Sequence, residues 1–233
     1  MNILAFGAHP DDIEILCAGT LAKYADQGHT IHLAIMCQGD CGSATLPPEE
    51  IAAIRLREAQ ASAQLIGASL HLIGFPDLRI HTADEDKDRI IEVIRRARPQ
   101  VILTHDPNDY MIDHQLTGRL TEECAFMATL PNIKTESPAH MENAVIYYMD
   151  TLAGVGFEPS EYVEITEVFE TKRRMLRCHI SQTVWLKEHD AVDIEDQMET
   201  QARFRGLQAG VRYAEAFRHL HEWGRETTRR LLP

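Results

Sequence analysis

The stretch NILAFGAHPDDIEIL, residues 2–16, changes character twice. Its first part, NILAFG over 2–7, is an apolar run closed by a polar turn, the pattern of a strand buried on both faces. From there Ile13, Leu16, Cys17, Thr20, Leu21 and Tyr24 recur at three- and four-residue steps. This spacing predicts a helix with one apolar face, ending near Gly28, where a residue without a Cβ closes a helix at little cost. The same alternation continues outward. Residues 30–36 (TIHLAIM), 69–73 and 100–104 (QVILT) read as strands, with helices over 48–66 and 84–98. Pro48 occupies the permitted first turn of its helix, and Glu49 and Glu50 match the helix dipole. Strand and helix in alternation predict an α/β fold: a Rossmann-like, mostly parallel sheet with helices on both faces. Beyond 129 the pattern loosens, with one further strand at 144–149 and helices over 163–190 and 194–232. This gives a helical C-terminal region. Neither an internal repeat nor a low-complexity linker interrupts the chain, so one domain over 1–233 is expected.

Composition narrows the partners. With 23 Lys+Arg against 36 Asp+Glu the 233-residue chain carries a formal charge of −13, which argues against nucleic acid and anionic membrane, both held through basic residues. No run of 18 apolar residues and no cationic leader is present, so a cytoplasmic protein is expected. The five cysteines (17, 37, 41, 124, 178) contain no C-x-x-C pair and read as free thiols; Cys37 and Cys41 alone do not close a zinc site.

In a parallel sheet, ligands sit beyond the carboxyl ends of the strands. Two loops in that position are rich in metal-binding side chains. In the first, His9 and Asp12 stand three apart around a tight turn, so an imidazole nitrogen and a carboxylate oxygen converge on one cation; Asp11 lies between them, placed to reach a water on it. The second, His105 to His114, brings two histidines and the aspartates 106, 109 and 113 to the same mouth. Three ligands of His/His/Asp type with one open position describe a catalytic zinc site. The bland readings are that Asp11 and Asp12 only cap the following helix and that His219, His221 and Glu222 form a solvated helix face.

The segments FGAHPDDIEI, Gly19-Thr20, GDCGS, Arg55-x-x-Glu58-Ala59, Gly74-Phe75-Pro76-Asp77, Asp113-His114 and Cys178-His179-Ile180-Ser181-Gln182 resemble, in this order, the PIG-L/LmbE family of zinc-dependent de-N-acetylases. GLQAGVRYAEAF (206–217) further resembles the bacillithiol-pathway branch, which deacetylates N-acetylglucosaminyl-malate. The resemblance implies that His9, Asp12 and His114 hold zinc, with iron(II) as another suitable metal, and that Asp11 is the general base. It also implies removal of an N-acetyl group from an N-acetylglucosamine-type sugar or conjugate, releasing acetate and a free amine. The alternative is another amide on the same metal site, such as a thiol-sugar conjugate or an antibiotic intermediate. Arg55, Tyr110 and Glu14 are candidate substrate contacts, with an Arg55–Glu58 ion pair as the bland reading of Arg55. Asp113 is expected to orient His114 from behind. A homo-oligomer acting on a small amino sugar is expected.

One position departs from the family pattern. Many members have His-x-Asp-His in the second motif, and the first histidine stands where this chain has Met111, whose thioether donates no hydrogen bond. Tyr110 and His105 are the candidates to replace that donor. A nucleotide-binding module on the same sheet is disfavoured, because neither G-x-G-x-x-G nor a P-loop motif occurs.

Overall fold

The computed structural model describes residues 1–233. Strands β1 (Asn2–Gly7), β2 (Thr30–Cys37), β3 (Ser69–Phe75), β4 (Val101–Thr104), β5 (Val145–Met149), β6 (Glu161–Glu164) and β7 (Ala214–His219) form one sheet in the order β3-β2-β1-β4-β5-β7-β6. The first five run parallel. At the far edge β7 pairs antiparallel with β5, and β6 antiparallel with β7.

The side-chain parity of β1 divides the core. Ile3 and Ala5 face one apolar cluster, shared with Leu33, Val101, Leu103 and Tyr147; Leu4 and Phe6 face the other, with Ala34, Met36, Ile102 and Ile146. The first is covered by α1 (Asp12–Leu16), α2 (Ala18–Asp26), α6 (Phe169–Leu176) and α8 (Ile194–Ala209), the second by α4 (Asp84–Ala97) and α5 (Ile112–Met127). This two-sided burial explains why the strands read as continuous apolar runs rather than alternating ones. Helix α3 (Pro48–Gln64) runs past β3 and α6, and α7 (Ile180–His189) rests on α3 and α8.

The sequence reading holds for the β1–β5 sheet and fails in three places. The helix expected after β1 is two helices, because Cys17 leaves helical geometry at φ −143°. Helix α5 carries no apolar periodicity: its buried positions include Asp113, His114, Thr117, Gly118 and Thr121, so polar and small residues fill the face where periodicity looks for apolar ones. The C-terminal region is not all helix. The expected 194–232 helix stops at Ala209, closed by Gly210 at φ +74°, and β6 and β7 follow the sheet edge. Strand β7 reads AEAFRH, and its buried Glu215 hides the apolar character. That carboxylate accepts the backbone N–H groups of Gly19 (2.9 Å) and Thr20 (2.7 Å), at the start of α2, and pairs with buried Lys172 on α6 at 2.5 Å. His219 accordingly ends a strand, not a helix face.

The strand order reverses between β1 and β4, which lie side by side while their successors leave in opposite directions. A crevice opens at such a switch point. The loops after β1 and β4, residues 8–11 and 105–111, border it.

Candidate metal centre and active site

At the crevice His9, Asp12 and His114 each offer a ligand atom, all within 4.8 Å of one another, and all three residues are buried. The turn that joins β1 to α1 makes this possible. Oδ2 of Asp12 accepts the backbone N–H of His9 at 2.7 Å, which folds the carboxylate back beneath the imidazole. Neither aspartate makes a side-chain capping bond to α1, so simple capping does not account for them.

Each histidine is oriented from behind. Nε2 of His9 donates to Oδ2 of Asp113 at 3.0 Å, leaving Nδ1 to face Asp12 at 3.5 Å. Nδ1 of His114 lies 3.2 Å from Oδ1 of Asp109, leaving Nε2 to face the other oxygen of Asp12 at 3.4 Å. Asp113 therefore bonds His9 and not its chain neighbour His114, whose Nδ1 faces Asp109 as an ion-pair contact without a well-aligned hydrogen bond. Asp113 Oδ2 also accepts the Leu78 N–H at 2.8 Å.

Electrostatics supports a cation here. Burial opposes charge on both rings, yet hydrogen bonds to Asp113 and Asp12 hold the His9 pKa well above the usual imidazole range. Against the same burial, Asp12 and Asp109 push His114 up to about 9. Burial would raise Asp12, but the neighbouring His114 and His105 rings hold it well below the carboxylate range. The surroundings of His9 and His114 thus favour positive charge beside Asp12, a demand that a dication bound to the lone pairs of neutral rings would meet. A buried His/His/Asp set, with each ring nitrogen behind the ligand atom facing a carboxylate, fits zinc.

Asp11 stands apart from this set. Its backbone sits at φ +124°, a conformation side chains rarely adopt, and it is buried. Burial, opposed by the Arg55 guanidinium and aided by the Asp12 charge, raises its pKa to about 6, suited to accepting a proton near neutrality. Strain of this kind, of order 1–3 kcal/mol, is typical of functional positions.

Arg55 reaches the site from α3, but not as an ion pair with Glu58. Its Nη2 donates to Pro10 O at 2.6 Å and lies 3.4 Å from Asp11, while Glu58 accepts the N–H and hydroxyl of Ser181 at 2.8 and 2.5 Å. Glu14 is not a cavity residue. It accepts the Ser62 hydroxyl at 2.6 Å and lies 3.3 Å from the buried ring of His179. His105 also lies behind the site, stacked on His114 with ring centroids 4.1 Å apart and accepting the Ala8 N–H through Nε2. Tyr110 is 68% exposed and lines the cavity edge-on to His114, with Met111 beside it.

The cavity above these groups has a volume of about 610 Å³. One wall was not legible in the sequence: Leu152, Trp185, Leu186, Val192 and Ile194, mostly from α7 and the start of α8, with Gln182 and Gln197. Isolated apolar residues on helices read as core, and nothing local marks them as a pocket wall. The loop after β2 contributes Cys41 and Gly42, held by Asp77, whose oxygens accept the N–H groups of Gly39 (2.8 Å) and Cys41 (3.0 Å). Ser43 does not line the cavity; its hydroxyl caps Thr45 and Leu46.

Comparison with known proteins agrees with this geometry. Residues 4–125 match the family model described as PIG-L: GlcNAc-PI de-N-acetylase. Diacetylchitobiose deacetylase of Thermococcus kodakarensis is 31% identical over 230 residues, covering 93% of this chain and 82% of the relative. A probable N-acetyl-alpha-D-glucosaminyl L-malate deacetylase 2 of Bacillus cereus is 27% identical over 84% of this chain and 90% of its own. Among solved structures, the 4-carboxy-2-hydroxymuconate hydratase of Pseudomonas putida shares the fold at TM-score 0.84 and 23% identity, covering 99% of this chain and all of that one. The paired loops at the switch point of the sheet and the family match over more than half the sequence agree, and the chain belongs to the PIG-L family.

Proposed function

We propose that the protein is a zinc-dependent hydrolase that removes the acetyl group from a neutral N-acetylglucosamine-type sugar or glycoside, as one domain spanning the chain. The observation that carries this is the convergence of His9, Asp12 and His114 on one point, with Asp11 beside them on the cavity wall. A zinc ion there would supply an acidic water and polarise the amide carbonyl. The residues do the rest. Asp11 takes a proton from the attacking water and returns it to the nitrogen of the leaving amine as the tetrahedral adduct collapses, a role that contributes about 10²–10⁴-fold in general acid–base catalysis. Arg55 holds the loop that carries Asp11 by bonding Pro10 O. The apolar wall from Trp185 to Ile194 offers a face for the sugar or its aglycone and excludes water.

The lining charge favours a neutral substrate. Arg55 is its only Lys or Arg, and its Nη2 is already committed, whereas Asp11, Asp12, Asp77 and Asp190 all border the space. Away from the zinc and its ligands, a malate-type carboxylate would meet Asp77 and Asp190 with no Lys or Arg free to pair with it. This favours a substrate of the kind named for the Thermococcus relative over that of the Bacillus one.

A second reading rests on Met111, which lines the cavity and whose thioether donates no hydrogen bond. Under it the metal site acts on another amide, a thiol-sugar conjugate or an antibiotic intermediate. Acetate release by the zinc-loaded protein from N,N′-diacetylchitobiose, set against N-acetylglucosaminyl-malate, separates these readings. The expected result is turnover of the neutral sugar, lowered at least 100-fold in Asp11→Asn with zinc content unchanged. No acetate from either sugar overturns the deacetylase reading, and preference for the malate conjugate overturns the neutral-substrate part.

A further inference from the structure

At the opposite end of the sheet from the cleft, a second cluster of metal-binding side chains remains without a role. His219 pairs across β7 with Tyr147 on β5, and Phe217 pairs with Met149. The chain beyond His219 therefore runs toward the start of β5, away from the end that carries the metal centre. His219 and His221 are two apart on an extended segment and share a face; their ring centroids are 4.7 Å apart. The chain then turns through Gly224, at φ +81°, and brings Glu226 back until its carboxylate lies 3.1 Å from Nδ1 of His221.

We propose that His219, His221 and Glu226 form a second site for a borderline divalent cation, zinc by ligand type. Each offers a ligand atom, all within 4.8 Å of one another. An independent observation points the same way: His219 is 91% buried, yet its Nε2 is shielded from water and has no hydrogen-bond partner. A buried polar atom left unpaired costs about 1–3 kcal/mol, and a cation bound there would remove the deficit. Two imidazoles and a carboxylate suit zinc, nickel or copper(II) better than magnesium or calcium, which prefer all-oxygen shells.

The ligands are held in place before any ion arrives. The His219 N–H donates to Ser160 Oγ at 3.1 Å and its ring stacks on Tyr147 at 5.0 Å. Leu220 N–H donates to Ile146 O at 2.9 Å, continuing the ladder to the residue before His221. The turn that returns Glu226 is pinned by the buried Arg225, which donates to Ala144 O at 2.9 Å, and by Asn143 on Gly224 O at 3.3 Å. A bound cation would clamp this turn to the antiparallel edge of the sheet. A cavity of about 510 Å³ adjoins this turn, lined by Asn143, Glu222, Trp223 and Arg225 among others but by none of the three ligands, so the site is structural in kind.

The test uses metal-free full-length protein, zinc chloride and equilibrium dialysis with elemental analysis. His221 and Glu226 are exposed, so His221→Ala and Glu226→Gln are expected to fold, as checked by circular dichroism. Wild type is expected to bind one equivalent of zinc more per chain than either variant, while acetate release is unchanged in both. His9→Ala is expected to lose a different equivalent, so the double variant with His221→Ala loses two. Zinc should also raise the thermal midpoint of His9→Ala, and this rise should vanish in the double variant. Equal zinc binding by wild type and His221→Ala overturns the proposal, whatever the outcome at the catalytic centre.

Discussion

Asp109, not Asp113, stands behind His114: its Oδ1 lies 3.2 Å from Nδ1, while Asp113, next to His114 in the chain, holds His9 at 3.0 Å. Neighbouring residues on a helix point about 100° apart, so the side chain beside a ligand serves a different one. Replacing such a support costs about 10–100-fold in metal affinity. Asp109→Asn and Asp113→Asn are each expected to weaken zinc binding by that factor, read by competition with a chromophoric chelator. Unchanged affinity in Asp109→Asn would remove it from the site.

Met111 precedes α5 and lines the cavity beside Tyr110. A donor aimed at a developing oxyanion is worth about 10²–10³ in kcat when removed from a site built around it. Met111→His restores an imidazole at that position and is expected to raise kcat for deacetylation about 10-fold or more with little change in KM. A fall in kcat would show that the thioether belongs to a different chemistry.

Lys172 and Glu215 are buried, paired at 2.5 Å, and tie α6, β7 and the start of α2 together. Removing one partner leaves a buried charge uncompensated, which costs about 3–5 kcal/mol. Glu215→Ala is expected to lower the free energy of urea unfolding by that amount. Lys172→Met with Glu215→Leu, which removes both charges, should recover much of the loss.

Glu92 accepts bonds from the Ser137 N–H (2.9 Å) and hydroxyl (2.8 Å) and from Arg96. Partial burial acts to raise its pKa, but these donors overcome it and lower the value from 4.5 to about 2. A folded value below the unfolded one means that the stabilisation is complete above about pH 4.5 and fades as the pH falls toward 2. The stability difference between wild type and Glu92→Gln, measured by urea unfolding, should therefore be constant from pH 8 to 5 and shrink below pH 4.5. A difference that grows on acidification contradicts the assignment.

The His9–Asp12 turn was legible because its geometry is local: a strand end and three residues bring the imidazole and the carboxylate together. The parallel half of the sheet was legible because burial on both faces writes strands as apolar runs. The antiparallel edge was not, since Glu215 pairs with Lys172, 43 residues away, and a buried charge reads as surface. Arg55 lines the cavity, yet its partners, Pro10 and Asp11, lie 45 and 44 residues away and no periodicity predicts them. Glu14 and His105 carry the right chemistry but sit one layer behind the cavity, and depth is set by packing rather than by spacing.

Helix α7 has no buried residue, although Gln182, Trp185 and Leu186 line the cavity. It is moored at one end, where Glu58 binds Ser181 and the buried His179 precedes its first turn. Substitutions of Gln182 and Trp185 therefore change what the cavity accepts without removing a fully buried side chain, whereas the partly buried Leu186 also packs against the core. The proposed metal ligands His9, Asp12 and His114 are, by contrast, buried. The cavity wall can therefore be altered at Gln182 and Trp185 independently of the buried cluster beneath it.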